Sequence, residues 1–256
     1  DACGNVSTCT QIINIVDTTP PVLTCAPDIT IECDDSTDPS NTGISTATDN
    51  CDPTPEVTFE DNVEPGDCPQ EMTIFRTWTA TDSCGNGTNC IQVITVVDTT
   101  APVIACPADI TIECDEDPDP VLTGSATATD NCDLAPNITF EDAVEPGSCP
   151  QEMVITRTWS AEDACGNVST CTQIITIDDS TPPVITCPAD ITIECDEIAD
   201  PGLTGVATAT DNCDLEVEVT YEDVVVAGSC PNDSTITRTW TATDDCGNES
   251  TCVQVI

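Results

Sequence analysis

Apolar and polar residues alternate along this chain in short runs, and Pro, Gly, Asp and Asn break the runs apart. DITIEC (28–33), GISTATD (43–49), EVTFED (56–61) and CIQVITVVD (90–98) each show a period of two, rich in Thr, Val and Ile. That period places side chains alternately on two faces of an extended strand, and β-branched residues suit a pleated, half-buried surface. These runs are read as strands A, B, C and G, with EMTIFRTWTATD (71–82) supplying E and F. No 3.6-residue period is present, so the fold class is all-β.

The pattern recurs with an 81-residue step. Cys3, Cys84, Cys165 and Cys246 keep that step, as do Trp78, Trp159 and Trp240, and Arg76, Arg157 and Arg238. Residues 1–13 recur letter for letter at 163–175. Pro-containing segments at 17–21, 98–102 and 179–183 mark the junctions, since Pro stiffens the chain and cannot donate to a ladder. The division is then 1–17 (the F–G strands of a preceding repeat), 18–98, 99–179 and 180–256, a segment of a longer tandem array. Short strands at regular spacing predict tandem immunoglobulin-like β-sandwich modules.

The 20 cysteines and the absence of His point to disulfides in an oxidising, extracellular compartment rather than to zinc, which would want paired C-x-x-C knuckles. With A, C and G running up and B and F down, Cys25, Cys51, Cys84 and Cys90 fall at the lower end of the first module, and Cys33 and Cys68 at the upper. The ends of a sandwich lie too far apart to bridge. The expected pairs are Cys25–Cys90, Cys33–Cys68 and Cys51–Cys84, then Cys106–Cys171, Cys114–Cys149 and Cys132–Cys165, then Cys187–Cys252, Cys195–Cys230 and Cys213–Cys246: three per repeat. A local Cys84–Cys90 bridge across the F–G hairpin is the open alternative. Cys3 and Cys9 lie outside this scheme.

A formal charge of -45, from 48 acidic residues against 3 Arg and Lys, changes the picture again. It excludes nucleic acid and anionic lipid as partners, because both need clustered cations. No apolar run is long enough to insert directly in a membrane. Within each module Asp49 and Asp82 precede Cys51 and Cys84 by two positions. Two carboxylates ~4 Å apart repel by about 4 kcal/mol at an effective dielectric near 20. A hard divalent cation relieves this, and Ca²⁺ tolerates irregular oxygen ligands better than Mg²⁺. The preceding linker Asp reaches the same end. The candidate ligands are therefore Asp17, Asp49, Asp52, Asp82 and Asn86; Asp98, Asp130, Asp133, Asp163 and Asn167; and Asp179, Asp211, Asp214, Asp244 and Asn248, with one structural Ca²⁺ per junction.

The acidic groups at the upper end (Glu32, Asp34, Asp35 and their equivalents) are read as serving solubility, with a second metal site as the alternative. Arg76, Arg157 and Arg238 are read as structural ion pairs or stacking partners of the Trp two positions on. Sequons at Asn5, Asn86, Asn137, Asn167, Asn232 and Asn248 leave room for N-glycans. No His and no Ser with a base is available for catalysis, so no enzyme is expected. Paired carboxylates that repeat beside disulfides point to structure instead.

VVDTTAPVIACPADITIEC (96–114), TATDNC (127–132) and RTWSAEDACGNVSTC (157–171) resemble hyalin-repeat (HYR) modules, over essentially the whole chain. That resemblance implies an immunoglobulin-like fold, a role in extracellular adhesion and no catalytic residues. The E-C-D motif and the additional Cys resemble long Bacteroidetes surface arrays, gliding-motility adhesins among them. The D-[ST]-T segments resemble an O-glycosylation sequence of such proteins, which would modify Thr18, Thr99 and Ser180. The expected function is a structural segment of a cell-surface adhesin or filament, a calcium-stiffened stalk. Its partners are adjacent repeats and identical chains in a bundle. The alternative is a glycan- or surface-binding module acting through its inter-strand loops.

Overall fold

A computed structural model describes residues 2–230 and 232–256. The chain forms two compact units, residues 1–102 with 129–136 and 162–167, and residues 103–128 with 137–161 and 168–256. The first holds β1 (Val22–Thr24), β2 (Ile29–Glu32), the single turn α1 (Pro39–Thr42), β3 (Thr46–Thr48), β4 (Glu56–Pro65), β5 (Met72–Thr81) and β6 (Gly87–Val97). A four-stranded sheet runs β2-β6-β5-β4, with β2 parallel to β6 and the other pairs antiparallel. The short antiparallel pair β1–β3 forms a second sheet, and β1 packs against β5 and β6.

The same order recurs as β7 (Val103–Ala105), β8 (Ile110–Glu113), α2 (Pro120–Thr123), β9 (Thr127–Thr129), β10 (Asn137–Pro146), β11 (Met153–Glu162) and β12 (Val168–Asp178). It recurs again as β13 (Val184–Thr186), α3 (Pro201–Thr204), β14 (Thr208–Thr210), β15 (Glu218–Ala227), β16 (Ser234–Thr243) and β17 (Glu249–Val255). The architecture is all-β, in repeating sheets tied by disulfides.

Three expectations need correction. Residues 71–82 do not divide into E and F: Met72–Thr81 is one unbroken strand, every residue of which pairs with both β4 and β6. Residues 2–21 carry no strand, so the F–G pair expected at 1–17 is absent among the described residues. In the third copy the counterpart of β2 makes a backbone hydrogen bond from Ile191 N to Val255 O (3.1 Å) but no ladder.

Alternation sets the core. On β5, Ile74, Arg76, Trp78 and Ala80 are buried, and Gln92, Ile94 and Val96 of β6 join them. Ile31, Ile74, Ile94 and Val96 form one apolar cluster, repeated as Ile112, Ile155, Ile175 and Ile177. Burying each such side chain contributes about 2–3 kcal/mol. The buried Arg76 is held on three sides. Its Nε and Nη2 donate to Asp61 at 2.8 Å, Nη1 donates to Thr42 of α1, and the guanidinium lies 4.4 Å from the Phe59 ring centroid. Gln92 donates to the carbonyls of Pro27 and Thr42 and accepts from Trp78 Nε1. A polar rod thus runs through an otherwise apolar layer and is satisfied along its length, as buried polar groups require.

Candidate metal site at the repeat junctions

Each junction site is built from loop chemistry. Asp82 follows β5, and its Oδ1 accepts from Cys84 N (2.9 Å) and Asn86 N (2.8 Å), while Oδ2 accepts from Asn86 Nδ2 (2.7 Å). Gly85, at φ +87°, supplies the left-handed turn that wraps these N–H groups around the carboxylate. Hydrogen bonds from Asn86 hold Asp82 below its ordinary value. Burial pushes Asp163 up, yet its bonds from Asn167 and the backbone outweigh that and keep it low. Asp49 uses Oδ1 to accept from Cys51 N and Asp52 N, which leaves its buried Oδ2 without a partner. Asp130 and Asp211 repeat this, each with an unpartnered buried Oδ2.

The linker Asp completes the arrangement. Asp17, Asp49 and Asp82 bring oxygens to within 4.8 Å of one another. Asp98 lies equally close to Asp163. Asp98 and Asp179 are each 4% exposed, and neither carboxylate makes a well-formed hydrogen bond, although the backbone N–H of Thr100 and of Thr181 comes close enough to ease them slightly. Burial, then repulsion from Asp163 and Asp130, raises Asp98. Burial, then Asp211 and Asp244, pushes Asp179 up to about 6. No protein cation is at hand, because the three Arg are held by Asp61, Asp142 and Asp223.

The structure assigns the other candidates different work. Asp52 accepts from Thr54 N and Ser83 N, latching the loop after β3 to the turn after β5; Asp133 and Asp214 do the same from Ala135 and Ala164, and from Glu216 and Asp245. Asn86, Asn167 and Asn248 donate through Nδ2 both to the neighbouring Asp Oδ2 and to the carbonyl of Asp17, Asp98 or Asp179. A glycan at any of these three sequons would replace one of the two amide hydrogens and cost one of these bonds.

Glu32, read from sequence as a solubility group, anchors the linker. Thr99 donates to it through Oγ1 (2.5 Å) and N (3.1 Å), and Ser180 does the same to Glu113. Only its recurrence at the repeat step marked it. Thr18, Thr99 and Ser180 are all exposed.

The bridges tie each junction further. Cys25–Cys90, Cys106–Cys171 and Cys187–Cys252 form within a repeat. The expected Cys33–Cys68, Cys51–Cys84, Cys114–Cys149, Cys132–Cys165, Cys195–Cys230 and Cys213–Cys246 do not. Cys33 joins Cys132, Cys68 joins Cys165, Cys114 joins Cys213 and Cys149 joins Cys246, with Cα–Cα distances of 5.1–5.9 Å. Cys33 and Cys68 share the upper end but leave opposite edges of β2-β6-β5-β4. Three strand spacings put those edges about 14 Å apart, beyond the ~7 Å limit for a bridge. Cys51 and Cys84 follow strands of different sheets, about 10 Å apart. Cys9, Cys51, Cys84, Cys195 and Cys230 are free and exposed among the described residues. The Cys84–Cys90 alternative is not formed either.

Residues 183–256 match the family model described as an HYR-like domain with 4 cysteines. The chain is 34% identical over 211 residues to hyalin of Lytechinus variegatus, covering 75% of this chain and 38% of that protein. It is 36% identical over 231 residues to hyalin of Strongylocentrotus purpuratus, covering 83% and 19%. This chain therefore spans well under half the length of the relatives it matches. Similar solved structures include human CDH23 EC21-23 (TM-score 0.34, 13% identity, 93% of this chain and 99% of that one) and Drosophila N-cadherin EC1-4 (TM-score 0.30, 12% identity, 94% and 75%). Over most of its length, the chain is thus similar in sequence to hyalins, and residues 183–256 match an HYR-type domain.

Proposed function

We propose that the chain is a structural segment of an extracellular adhesin or filament in which Ca²⁺ at each repeat junction fixes one module to the next. The protein is extracellular and non-enzymatic, and no helix among the described residues is long and apolar enough to cross a membrane. The modules are taken as 18–98, 99–179 and 180–256, and identical chains as partners in a bundle. This reading includes a Bacteroidetes origin and O-glycans at Thr18, Thr99 and Ser180. At Thr99 and Ser180 a glycan competes with the hydrogen bonds to Glu32 and Glu113.

One observation carries the calcium reading. Asp98 and Asp179 are buried beside other carboxylates, and no well-formed hydrogen bond and no cation offsets their charge. An unpaired buried charge is costly unless it is neutralised or coordinates a metal. The sulfurs beside Asp98 and Asp179, those of Cys33, Cys132, Cys165, Cys114 and Cys213, are tied in disulfides, which leaves the carboxylate oxygens as donors and favours Ca²⁺ over softer-site metals. The ligand set narrows to Asp17, Asp49 and Asp82; Asp98, Asp130 and Asp163; and Asp179, Asp211 and Asp244, with the Asn as positioning residues and water completing the shell. Melting with Ca²⁺ and with EGTA tests this. Calcium raises the melting temperature, and the double variant Asp98→Asn, Asp179→Asn keeps only the part of that response owed to the Asp17 site while melting no lower than the parent in EGTA. An identical melt in calcium and chelator contradicts the reading.

A further inference from the structure

We propose that the disulfides form three parallel covalent tracks along the array, which cap how far it extends under tension. The inference rests on the filament reading above but not on calcium. The first track follows the linker from Cys90 to Cys106, and the bridges Cys25–Cys90 and Cys106–Cys171 carry it past the remaining 65 residues of each repeat. The second follows β11, with Cys149 before it and Cys165 after it, and it leaves through Cys68–Cys165 and Cys149–Cys246. The third runs between Cys114 and Cys132, and leaves through Cys33–Cys132 and Cys114–Cys213.

At about 3.5 Å per residue, each track spans at most roughly 60 Å per repeat, against roughly 280 Å for a repeat of about 81 free residues. The slack is smaller still on the second track. Its β11 segment is already extended strand, at about 3.3 Å per residue. The tracks also differ in what they protect. Bridges inside a repeat keep it from unravelling, while bridges between repeats hold a junction at two points besides the linker. The tracks are cross-linked by the chain itself, since Cys132 of the third and Cys149 of the second flank β10. Breaking one bridge therefore leaves the load on other short routes rather than on a freed loop.

Single-molecule pulling on the oxidised chain from its two termini tests this. Two covalent routes are equally short, each about 60 residues or ~210 Å. One runs through Cys25–Cys90, Cys106–Cys171 and Cys187–Cys252, and the other through Cys33–Cys132 and Cys149–Cys246. Full reduction lengthens the chain to ~900 Å. The oxidised variant Cys106→Ser, Cys171→Ser removes only the first route. If the inter-repeat bridges carry tension, its contour stays within ~10 Å of the parent's; if those cysteines are free, the bypassed segment is released and it grows by ~230 Å. Should that variant fold poorly, Cys25→Ser, Cys90→Ser gives the same two outcomes. A gain above ~100 Å in either variant overturns the proposal. Repeating the pull in EGTA separates the two ideas, because the covalent limit is unchanged by chelator even if no calcium binds.

Discussion

Asp179 sits at the point where charge and burial conflict most directly. Its carboxyl is pushed up to about 6 from an ordinary 3.8 by burial and by Asp211 and Asp244. A group raised on folding lends its stability below the unfolded value and loses it as pH rises through the folded value. The metal-free chain is therefore expected to melt at a lower temperature at pH 7 than at pH 4.5. With Ca²⁺ bound that fall vanishes, and calorimetry at both values in EGTA and in Ca²⁺ checks it. Arg157 marks the opposite case, a buried cation fully paired with Asp142 and lying 4.5 Å from the Phe140 centroid. Arg157→Met strands Asp142, whose side chain keeps 28% exposure, so the loss is at the low end for a broken buried pair, about 3 kcal/mol. Urea unfolding measures it. The ion pair was legible because a lone cation among so many acids must be partnered. The 0%-exposed Gln92 was not: a Gln on an alternating strand reads as an outward residue until the carbonyls of Pro27 and Thr42 are known to face it.

Strands were legible where alternation ran long. The period of two located β2, β4, β5 and β6, and the repeat step carried each assignment to the next copy. The segment 71–82 was divided into two strands although its alternation is unbroken, and Arg76, paired with Asp61, stays in the strand's buried row. The pairing of Cys33 and Cys68 failed for a different reason. Sequence placed both at one end of the module, but only the sheet order shows them on opposite edges. The Asp latches also belong to this scale. Asp133 joins two loops through Ala135 N and Ala164 N, and Asp133→Ala leaves both donors without that acceptor, at about 1–3 kcal/mol. Hydrogen exchange at Ala164 is expected to quicken well before exchange in β11. Equal protection in parent and variant would show the latch to be idle.

Across the whole chain, the repeat period, the charge and the cysteine count were enough to point to an extracellular, non-enzymatic array, and the similarity to hyalins agrees with that. They did not reveal that the cysteines link one repeat to the next at sequence separations of 97 and 99. A strictly periodic pattern is equally satisfied by bonds inside a copy and bonds between copies. Non-reducing peptide mapping separates the two: Cys33–Cys132 and Cys68–Cys165 peptides are expected, and a Cys33–Cys68 peptide is not. Excess negative charge favours solubility, but at the junctions the same charge is crowded among buried carboxylates.

The most direct measurement is a calorimetric titration of the metal-free, fully oxidised chain with Ca²⁺ at pH 7, with Asp98→Asn, Asp179→Asn alongside. The junction geometry predicts three ions bound per chain, at Asp17, Asp98 and Asp179, and one remaining in the variant. No saturable binding by the parent, or binding that the two substitutions leave untouched, would contradict it.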